Sequence, residues 1–334
     1  MGSHTFKVFK LHFTTPLHIS NEKDDYGISL KSIESDTMYA AITATLDKLG
    51  EKIPANGDLG CCISSLFPFY QRDKYSDAVL FFPKPLKQPL INIPDSTLRK
   101  LVKKISWMDK EYFGKRINGT PINVEEDIKN IAGEFLLKDK SILPNNGKFI
   151  SSQVDIHAFV DRQGKDTRPY YMDRLYFKDY SGLFFLAEGD TALIEKALDL
   201  LQHEGIGTDR NVGNGTFEYT IENVTLQLPT DNKHIMSLSV FIPDSKEQLD
   251  EMIKDIDAAY NFKRRGGWIT TPPFNKLRKN YIYAFTASSV FKSTNNNIHT
   301  AGCIVDLNPE ISFTESPLHP IWRCGKSIFI PFKL

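Results

Sequence analysis

The chain has 334 residues, of which 41% are hydrophobic and 25% charged, and its formal net charge is zero. A chain of this length buries a sizeable core and is expected to form about two domains. No apolar run approaches the roughly 20 residues of a membrane-spanning helix, and the first residues lack the apolar segment of a signal peptide. The four cysteines lack metal-binding spacing, and Cys61 and Cys62 are adjacent. Neither a disulfide framework nor a zinc site is indicated, so a cytoplasmic setting is expected.

The charges are distributed unevenly along the chain. Residues 258–305 contain no acidic residue, and their basic residues are Lys263, Arg264, Arg265, Lys276, Arg278, Lys279 and Lys292. Acids are absent again after Glu315. Zero net charge argues against a protein that coats nucleic acid with its whole surface, whereas a segregated basic segment predicts one face that contacts phosphate. A solvated face that binds an acidic protein is the alternative.

Strand and helix signals alternate over the first two thirds of the chain. The predicted elements are a strand at 6–13, a helix at 35–49, strands at 66–70 and 78–82, helices at 96–105 and 124–136, strands at 153–160 and 183–187, a helix at 190–204 and a strand from 217. Residues from about 90 to 148 form a predicted helical insertion. Residues 161–180, which are rich in arginine and aromatic residues, are predicted to separate two strands.

The stretch 205–217, GIGTDRNVGNGTF, has the composition of an anion-binding loop. Glycine tolerates positive φ and has no Cβ, so successive N–H groups can turn toward one concave site. Arg210 and Asn214 add side-chain donors. A dinucleotide-binding fingerprint fails because Arg210 stands where its third glycine is needed, and because the helix precedes the loop instead of following it. A P-loop fails because no Gly-Lys-Ser/Thr closes the run.

A second strand and helix set begins near residue 234. Residues 235–242 predict a strand, and Ser245 with Gln248 predicts a capping box for a helix with Leu249, Met252, Ile253 and Ile256 on one face. The fold class is therefore predicted as α+β, with two tandem ferredoxin-like (RRM-like) βαββαβ domains. The first spans 1–232, with an insertion at about 90–148 and the glycine-rich loop at 205–217. The second spans 233–334 and contains the basic segment 258–305.

Several segments resemble the RAMP superfamily of CRISPR-associated proteins. The pattern GIGTDRNVGNGTFEY before a final strand resembles the glycine-rich signature of that superfamily. Other segments resemble its type III-A (Csm) subunit that binds the 5′ handle of the guide RNA: PLHIS (16–20), SDTMYAAI (35–42), DRQGKDTR (161–168), RRGGW (264–268) and HPIWRCG (319–325). They occur in the expected order over nearly the whole chain.

The resemblance implies a non-catalytic subunit of an antiviral ribonucleoprotein, without cofactor or metal. Its expected partners are the guide RNA 5′ handle, the large polymerase-like subunit and the repeating backbone RAMP subunit. The candidate RNA-binding residues are His18, Gly205, Gly207, Arg210, Gly213, Asn214, Gly215, Arg264, Arg265, Gly266, Trp268, Phe291 and Lys292. Arg162, Arg168 and Arg323 are candidates for either RNA or a protein neighbour. We expect the glycine-rich loop and the segment 264–268 to face one groove, because RNA is held by charge, backbone donors and base stacking.

Two alternatives remain open at this point. Some RAMP relatives cut guide RNA precursors without metal by attack of a 2′-hydroxyl, which usually requires a histidine as general acid or base. His18 is the best-placed histidine for that role, but the sequence shows no partner for it. A purely structural scaffold that uses the basic face for an acidic protein is the other alternative.

Overall fold

The structure, a computed structural model, describes residues 2–20, 26–87, 95–144, 147–160, 167–178, 180–231, 233–269, 274, 277–294, 299–309 and 320–334. Its α-helices are α1 (Ser35–Lys48), α2 (Ser96–Lys104), α3 (Lys110–Ile117), α4 (Val124–Asp127), α5 (Ala192–Glu204) and α6 (Lys246–Ile253). Within these ranges, no helix has the length and apolar character needed to span a bilayer.

Strands run along the whole chain between these helices. They are β1 (Gly2–Phe13), β2 (Cys61–Ile63), β3 (Phe67–Tyr70), β4 (Val79–Pro83), β5 (Trp107–Asp109), β6 (Ile131–Ala132), β7 (Phe135–Leu136), β8 (Ile150–Val160), β9 (Thr167–Phe177), β10 (Gly182–Gly189), β11 (Phe217–Leu228), β12 (His234–Ser237), β13 (Phe262–Arg265), β14 (Ile282–Phe285), β15 (Val290–Lys292), β16 (Thr300–Ala301), β17 (Ile304–Asp306), β18 (Trp322–Cys324) and β19 (Ser327–Phe332). The predicted α+β class is confirmed.

A nine-stranded sheet forms the first part of the molecule. Its order is β11-β1-β10-β3-β4-β5-β7-β6, and β2 pairs with β10 beside β3. The long strand β1 is antiparallel to both neighbours, with Phe9 opposite Phe185 on β10 and Ile221 on β11. Helix α1 follows β1 in the chain, and α5 joins β10 to β11.

The predicted helical insertion is partly wrong, because its described residues also extend the sheet. Strands β5, β6 and β7 continue the nine-stranded sheet beyond β4. The predicted helix 124–136 is only the single turn α4 followed by a 3-10 turn, since Ile131, Phe135 and Leu136 pair as short strands. Residues 88–94 and 145–146 of this segment lie outside the described ranges.

The expectation that residues 161–180 merely separate two strands is also wrong. Residues 167–177 form β9, which pairs with β8 from Ile150 opposite Phe177 to Val160 opposite Thr167. Much of this two-stranded ribbon is exposed, including the side chains of Val154, Ile156 and Tyr171. Such an exposed ribbon accommodates the arginine and aromatic residues of this segment.

A second sheet is built entirely from residues after 233. Its order is β15-β12-β19-β16, and two ribbons, β13-β14 and β17-β18, accompany it. Only α6 is helical among the residues described here, although a βαββαβ unit needs two helices. The Ser245 hydroxyl caps α6 by accepting from the Gln248 N–H at 3.1 Å, as predicted. Ile256 lies beyond the end of α6 and is 94% exposed, so its predicted place on the apolar face is wrong.

The core lies on both faces of β1 and β10. On one face Phe9 and Leu11 pack with apolar residues of α1 and α5, including Met38 and Leu198. Alternation sends Phe6, Val8, Phe184 and Leu186 to the other face, where they join residues of the second sheet such as Met236, Leu238, Ile328 and Ile330. The two sheets therefore share one buried cluster.

Candidate RNA-binding surface

The glycine-rich loop lies where the sequence predicts it, between a helix and a strand. Helix α5 ends at Glu204, and the Gly205 N–H donates to the Leu201 carbonyl at 2.8 Å. A 3-10 turn, Arg210–Val212, follows, and β11 begins at Phe217. The predicted order of helix, loop and strand is confirmed, so the phosphate geometry of dinucleotide folds is absent from this loop.

Most of the loop is fastened to its own chain. The Gly215 N–H donates to the Pro16 carbonyl at 2.8 Å, and the Thr208 N–H donates to the His18 carbonyl at 3.1 Å. Across the loop, the Ile206 N–H donates to the Gly215 carbonyl at 3.0 Å. These bonds hold the loop against the segment that leaves β1.

The glycines have two different functions in this arrangement. A Cβ at Gly215 would lie 1.9 Å from the Ile206 carbonyl oxygen, and a Cβ at Gly205 or Gly207 would lie 2.5 Å from a backbone oxygen. These three glycines therefore permit close packing within the chain, which was not the predicted reason for them. Gly213, with φ of 85°, would place a Cβ in open space. Asn214 is buried, and its N–H donates to the Asp209 carbonyl.

The tip of the loop keeps unused donors. Within the described ranges, the N–H groups of Gly207, Asp209, Arg210 and Asn211 donate no hydrogen bond inside the chain. The Arg210 side chain is exposed and forms no ion pair with any described residue. The adjacent carboxylate, Asp209, accepts from Arg174 at 3.4 Å. Exposed amides beside a free guanidinium form an anion-binding arrangement.

An open depression of about 520 Å³ lies beside this tip. It is lined by Lys48, His203, Glu204, Gly207, Asp209, Arg210 and Asn211. Lys48 and Glu204 neutralise each other at 2.7 Å, and Asp209 is paired with Arg174. Arg210 is therefore the cation of this depression that remains available to a ligand.

His18 does not contact solvent through its side chain, so its predicted RNA contact is wrong. The residue is 2% exposed, and its Nδ1 lies 2.6 Å from the Asp173 carbonyl oxygen. The Nε2 atom has no hydrogen-bond partner among the residues that the structure describes. The contribution of His18 to the site is its backbone carbonyl, which holds Thr208.

The second basic element is the ribbon β13-β14, whose alternation separates its basic side chains. Lys263 and Arg265 face α1, where the Lys263 Nζ lies 3.0 Å from Glu34. The Arg265 guanidinium donates to Asp36 at 2.6 and 2.7 Å and to Thr37 at 2.9 Å. The prediction that Arg265 contacts RNA is corrected, because its donors are used inside the chain.

Arg323 has the same internal function as Arg265. Its Nη1 donates to Asp36 at 3.0 Å, and its side chain is 9% exposed. Burial alone would raise the pKa of Asp36, but the charges of Arg265 and Arg323 outweigh burial and hold the pKa below its usual range. Arg323 therefore stabilises the contact of β18 with α1, which corrects its predicted role in binding RNA or a neighbour.

Other predicted residues of the basic segment differ in accessibility. Arg264 is exposed and lies over the Tyr281 ring at 3.9 Å, while Trp268 is half-buried beneath the Arg278 guanidinium at 4.9 Å. A Cβ at Gly266 would lie 3.1 Å from the Tyr281 Cβ, so this glycine fits against Tyr281. The exposed positive charge in this part of the segment therefore comes from Arg264 and Arg278.

The remaining candidates are separated from these elements or lie outside the described ranges. Phe291 is fully buried against Phe241 and Phe329, so the expectation that it lines a groove is wrong. Its neighbour Lys292 is exposed at the end of β15. Arg168 is exposed on β9, and Arg162 lies outside the described residues.

Sequence reasoning missed three aromatic residues on the outer face of β13-β14. Phe262, Tyr281 and Tyr283 are 54%, 58% and 57% exposed. The available signal was the alternation of YIYAF, which pairs with FKRR in the ribbon.

Comparison with known proteins supports the RAMP-type class that the sequence resembles. Residues 230–332 match a family described as the CRISPR Csm4 C-terminal domain. The chain is 26% identical over 230 residues to the CRISPR system Cms protein Csm4 of Streptococcus thermophilus, covering 64% of this chain and 72% of the relative. It is 24% identical over 223 residues to Csm4 of Thermococcus onnurineus (strain NA1), covering 63% and 64%.

Solved structures show the same fold along the whole chain. A Csm3-Csm4 subcomplex of the type III-A CRISPR-Cas interference complex matches with a TM-score of 0.61 and 18% identity, covering 99% of this chain and 100% of that chain. A Csm1-Csm4 cassette in complex with pppApA matches with a TM-score of 0.56 and 16% identity, covering 99% of each chain. The recognition made from the sequence, a RAMP-superfamily subunit of the type III-A Csm class, is confirmed. The member of that class which the chain resembles is Csm4.

Proposed function

We propose that this chain is the non-catalytic subunit that binds the repeat-derived 5′ handle of the guide RNA in a type III-A complex. The observation that carries the proposal is the loop tip, where the Arg210 side chain and the N–H groups of Gly207, Asp209 and Asn211 form no hydrogen bond or ion pair with another described residue. RNA backbone phosphates are suitable acceptors for such donors.

The strand order supports a ferredoxin-like unit in the N-terminal domain. The order β11-β1-β10-β3, with α1 after β1 and α5 after β10, is that of two interleaved β-α-β units in an antiparallel sheet. We extend this assignment to the C-terminal domain, 233–334, as a reduced version with one described helix, α6.

The proposed partners follow from the assemblies of the similar proteins. Csm4 chains occur with Csm3 in one solved structure and with Csm1 in another. We propose that this chain likewise joins a large polymerase-like subunit to the first backbone RAMP subunit in antiviral defence. In that position it needs no catalytic group, cofactor or metal of its own.

An endonuclease receives no support from the histidine that suggested it. A general base must reach the 2′-hydroxyl whose proton it removes, whereas the His18 imidazole is 2% exposed and its Nδ1 is bonded to the Asp173 carbonyl. We therefore retain RNA binding and not cleavage.

The contacts of the two basic elements support the proposal that they share a groove. The glycine-rich loop is bonded to Pro16 and His18, and β13 is bonded to Glu34 and Asp36. Pro16 and His18 lie at the start of the connection between β1 and α1, Glu34 lies at its end, and Asp36 lies in the first turn of α1. The glycine-rich loop and β13 therefore both contact the part of the chain that runs from the end of β1 into α1.

The test is co-expression of the chain with Csm1-type and Csm3-type subunits and guide RNA. Arg210→Glu should lower the guide RNA retained after a salt wash and leave assembly intact, because its side chain pairs with none of the residues that the structure describes. The matched control is Lys52→Glu, an equal charge change at an exposed lysine outside the loop.

Equal RNA retention by the Arg210→Glu and wild-type complexes would contradict the proposal. A complex that holds together unchanged after its RNA is digested would favour the structural scaffold instead. Specific cuts in repeat RNA by the purified chain in chelator would favour the endonuclease.

A further inference from the structure

The outer face of the ribbon β13-β14 carries an exposed cluster of Phe262, Arg264, Tyr281 and Tyr283, here called the aromatic face. The three aromatic side chains are 54%, 58% and 57% exposed, which is unusual for rings that pack against each other. Large apolar groups left in water cost free energy, so a contiguous group of them indicates a surface with a ligand.

The rings and the guanidinium are arranged as one surface. Phe262 and Tyr283 meet edge to face with centroids 5.8 Å apart, and Tyr281 and Tyr283 do so at 6.2 Å. Arg264 lies opposite Tyr283 in the strand register, and its guanidinium covers the Tyr281 ring at 3.9 Å. Neither tyrosine hydroxyl is hydrogen-bonded to another described residue.

The aromatic face is not part of the core, but the opposite side of the ribbon is anchored to the rest of the chain. On the inner side of the ribbon, Lys263 pairs with Glu34 and Arg265 with the buried Asp36. Ala284 packs there with Val240 and Ile242. A preorganised surface loses little conformational entropy when it binds, which favours a binding function over a packing function for the outer rings.

Charge decides which kind of ligand fits the aromatic face. The ribbon lies within residues 258–305, which contain no acidic residue, and Arg264 places a cation on the face itself. Aromatic rings and guanidinium planes stack unpaired bases, and nearby positive charge attracts the phosphates. An apolar protein surface could pack against the rings, but its binding would not be strengthened by the absence of acidic residues from this segment.

We propose that the aromatic face is a stacking platform for unpaired bases of single-stranded RNA. This rests on the proposed function, since it adds a second contact for the same guide RNA. The loop tip would hold phosphate, and the aromatic face would hold bases without reading their sequence, because every base has a π-face.

The test uses the full chain and a synthetic single-stranded RNA with the repeat-derived 5′ sequence, labelled with 2-aminopurine. Stacking on the aromatic face should quench its fluorescence. Tyr281→Leu with Tyr283→Leu should weaken binding about 5- to 150-fold, from the roughly 1–3 kcal/mol that stacking gives per base. Tyr281→Phe with Tyr283→Phe should retain binding, because both rings remain.

The control substitution is Tyr75→Leu, which removes a ring that is 94% exposed on the turn between β3 and β4. Salt dependence separates the two contacts, because stacking involves no counterion release. The leucine variants should therefore keep the wild-type salt slope, whereas Arg210→Glu should reduce it by at least about 0.7.

The outcomes distinguish the two proposals. Unchanged RNA binding by the leucine variants, with weakened binding by Arg210→Glu, would overturn the stacking platform and leave the proposed function intact. Loss of a protein subunit from the assembled complex, with RNA binding by the chain unchanged, would make the aromatic face a protein interface and also overturn the platform. Failure of the wild-type chain and the wild-type complex to hold this RNA would overturn both.

Discussion

Asp36 on α1 accepts two hydrogen bonds from the guanidinium of Arg265 on β13, at 2.6 and 2.7 Å. Arg323 on β18 donates a third at 3.0 Å. Asp36 is fully buried, so one carboxylate ties two C-terminal elements, β13 and β18, to helix α1. The orientation of the basic ribbon thus depends on an internal ion pair.

Replacing Asp36 by alanine should destabilise the chain severely. Two largely buried guanidiniums, 14% exposed in Arg265 and 9% in Arg323, would lose their counter-ion, and removing one partner of a buried pair typically costs about 3–5 kcal/mol. Glu34→Ala is the matched control, because the Lys263 that pairs with Glu34 has a side chain 37% exposed and such pairs contribute under about 1 kcal/mol. Chemical unfolding of both variants measures the difference. Equal losses for the two variants would show that the Asp36 network is not a buried ion pair.

The same carboxylate predicts a pH dependence in acid. The pKa of Asp36 is lower in the folded chain than its ordinary value of 3.8. The folded chain therefore binds a proton at this carboxylate less strongly than the unfolded chain does. Its stabilisation is fully present above pH of about 4 and is lost as pH falls through the lowered pKa. Unfolding free energy followed from pH 6 downward should decrease, and Asp36→Asn should show a smaller decrease. An identical acid dependence in wild type and Asp36→Asn would contradict this assignment.

Lys279 predicts a second rise of stability with pH, in mild alkali. Burial, together with the charge of Arg323, lowers the pKa of Lys279 to about 8. The unfolded chain therefore binds more protons between pH 8 and the ordinary pKa of 10.5, and stability should rise with pH across that interval. Lys279→Met should remove this rise and stabilise the chain at pH 7 by at most about 3 kcal/mol. A destabilised Lys279→Met chain would show that the ammonium group is needed for folding.

The glycine-rich loop allows a paired test of its two kinds of glycine. Gly215→Ala should cost more than about 2 kcal/mol, since φ is 74° and the added Cβ would overlap the Ile206 carbonyl. Gly213→Ala should cost only about 1–2 kcal/mol, because its positive φ is strained but the Cβ meets open space. Unfolding free energies and guide RNA retention are the measurements. Similar effects at both positions would contradict the internal bonding of the loop.

Local patterns predicted the parts of the fold that depend on local chemistry. The strand β1, the start of α1 at Ser35 and the Ser245 cap are confirmed in the structure. The order of α5, loop and β11 is confirmed as well. Residues 131–136 were predicted as helix because their short apolar run fits either period, and pairing across strands decided the outcome.

Long-range contacts decided what the site prediction could not. Arg264 and Arg265 are equivalent in the sequence, but strand alternation exposes one and directs the other to Asp36. Nothing near His18 in the sequence shows that its ring is covered by the Asp173 backbone on β9. The sequence shows that residues 258–305 are basic. It does not show which of these charges face solvent, because that depends on residues far away in the chain, such as Glu34 and Asp36.

The most direct test of RNA binding by the glycine-rich loop is photocrosslinking of the native complex with guide RNA that carries 4-thiouridine, followed by mass spectrometry of the linked peptides. The account predicts links from the repeat-derived 5′ nucleotides to the peptide that contains Arg210 and Asn211. Crosslinks of this chain confined to spacer-derived nucleotides, or none to the loop while other subunits link to the 5′ handle, would contradict it.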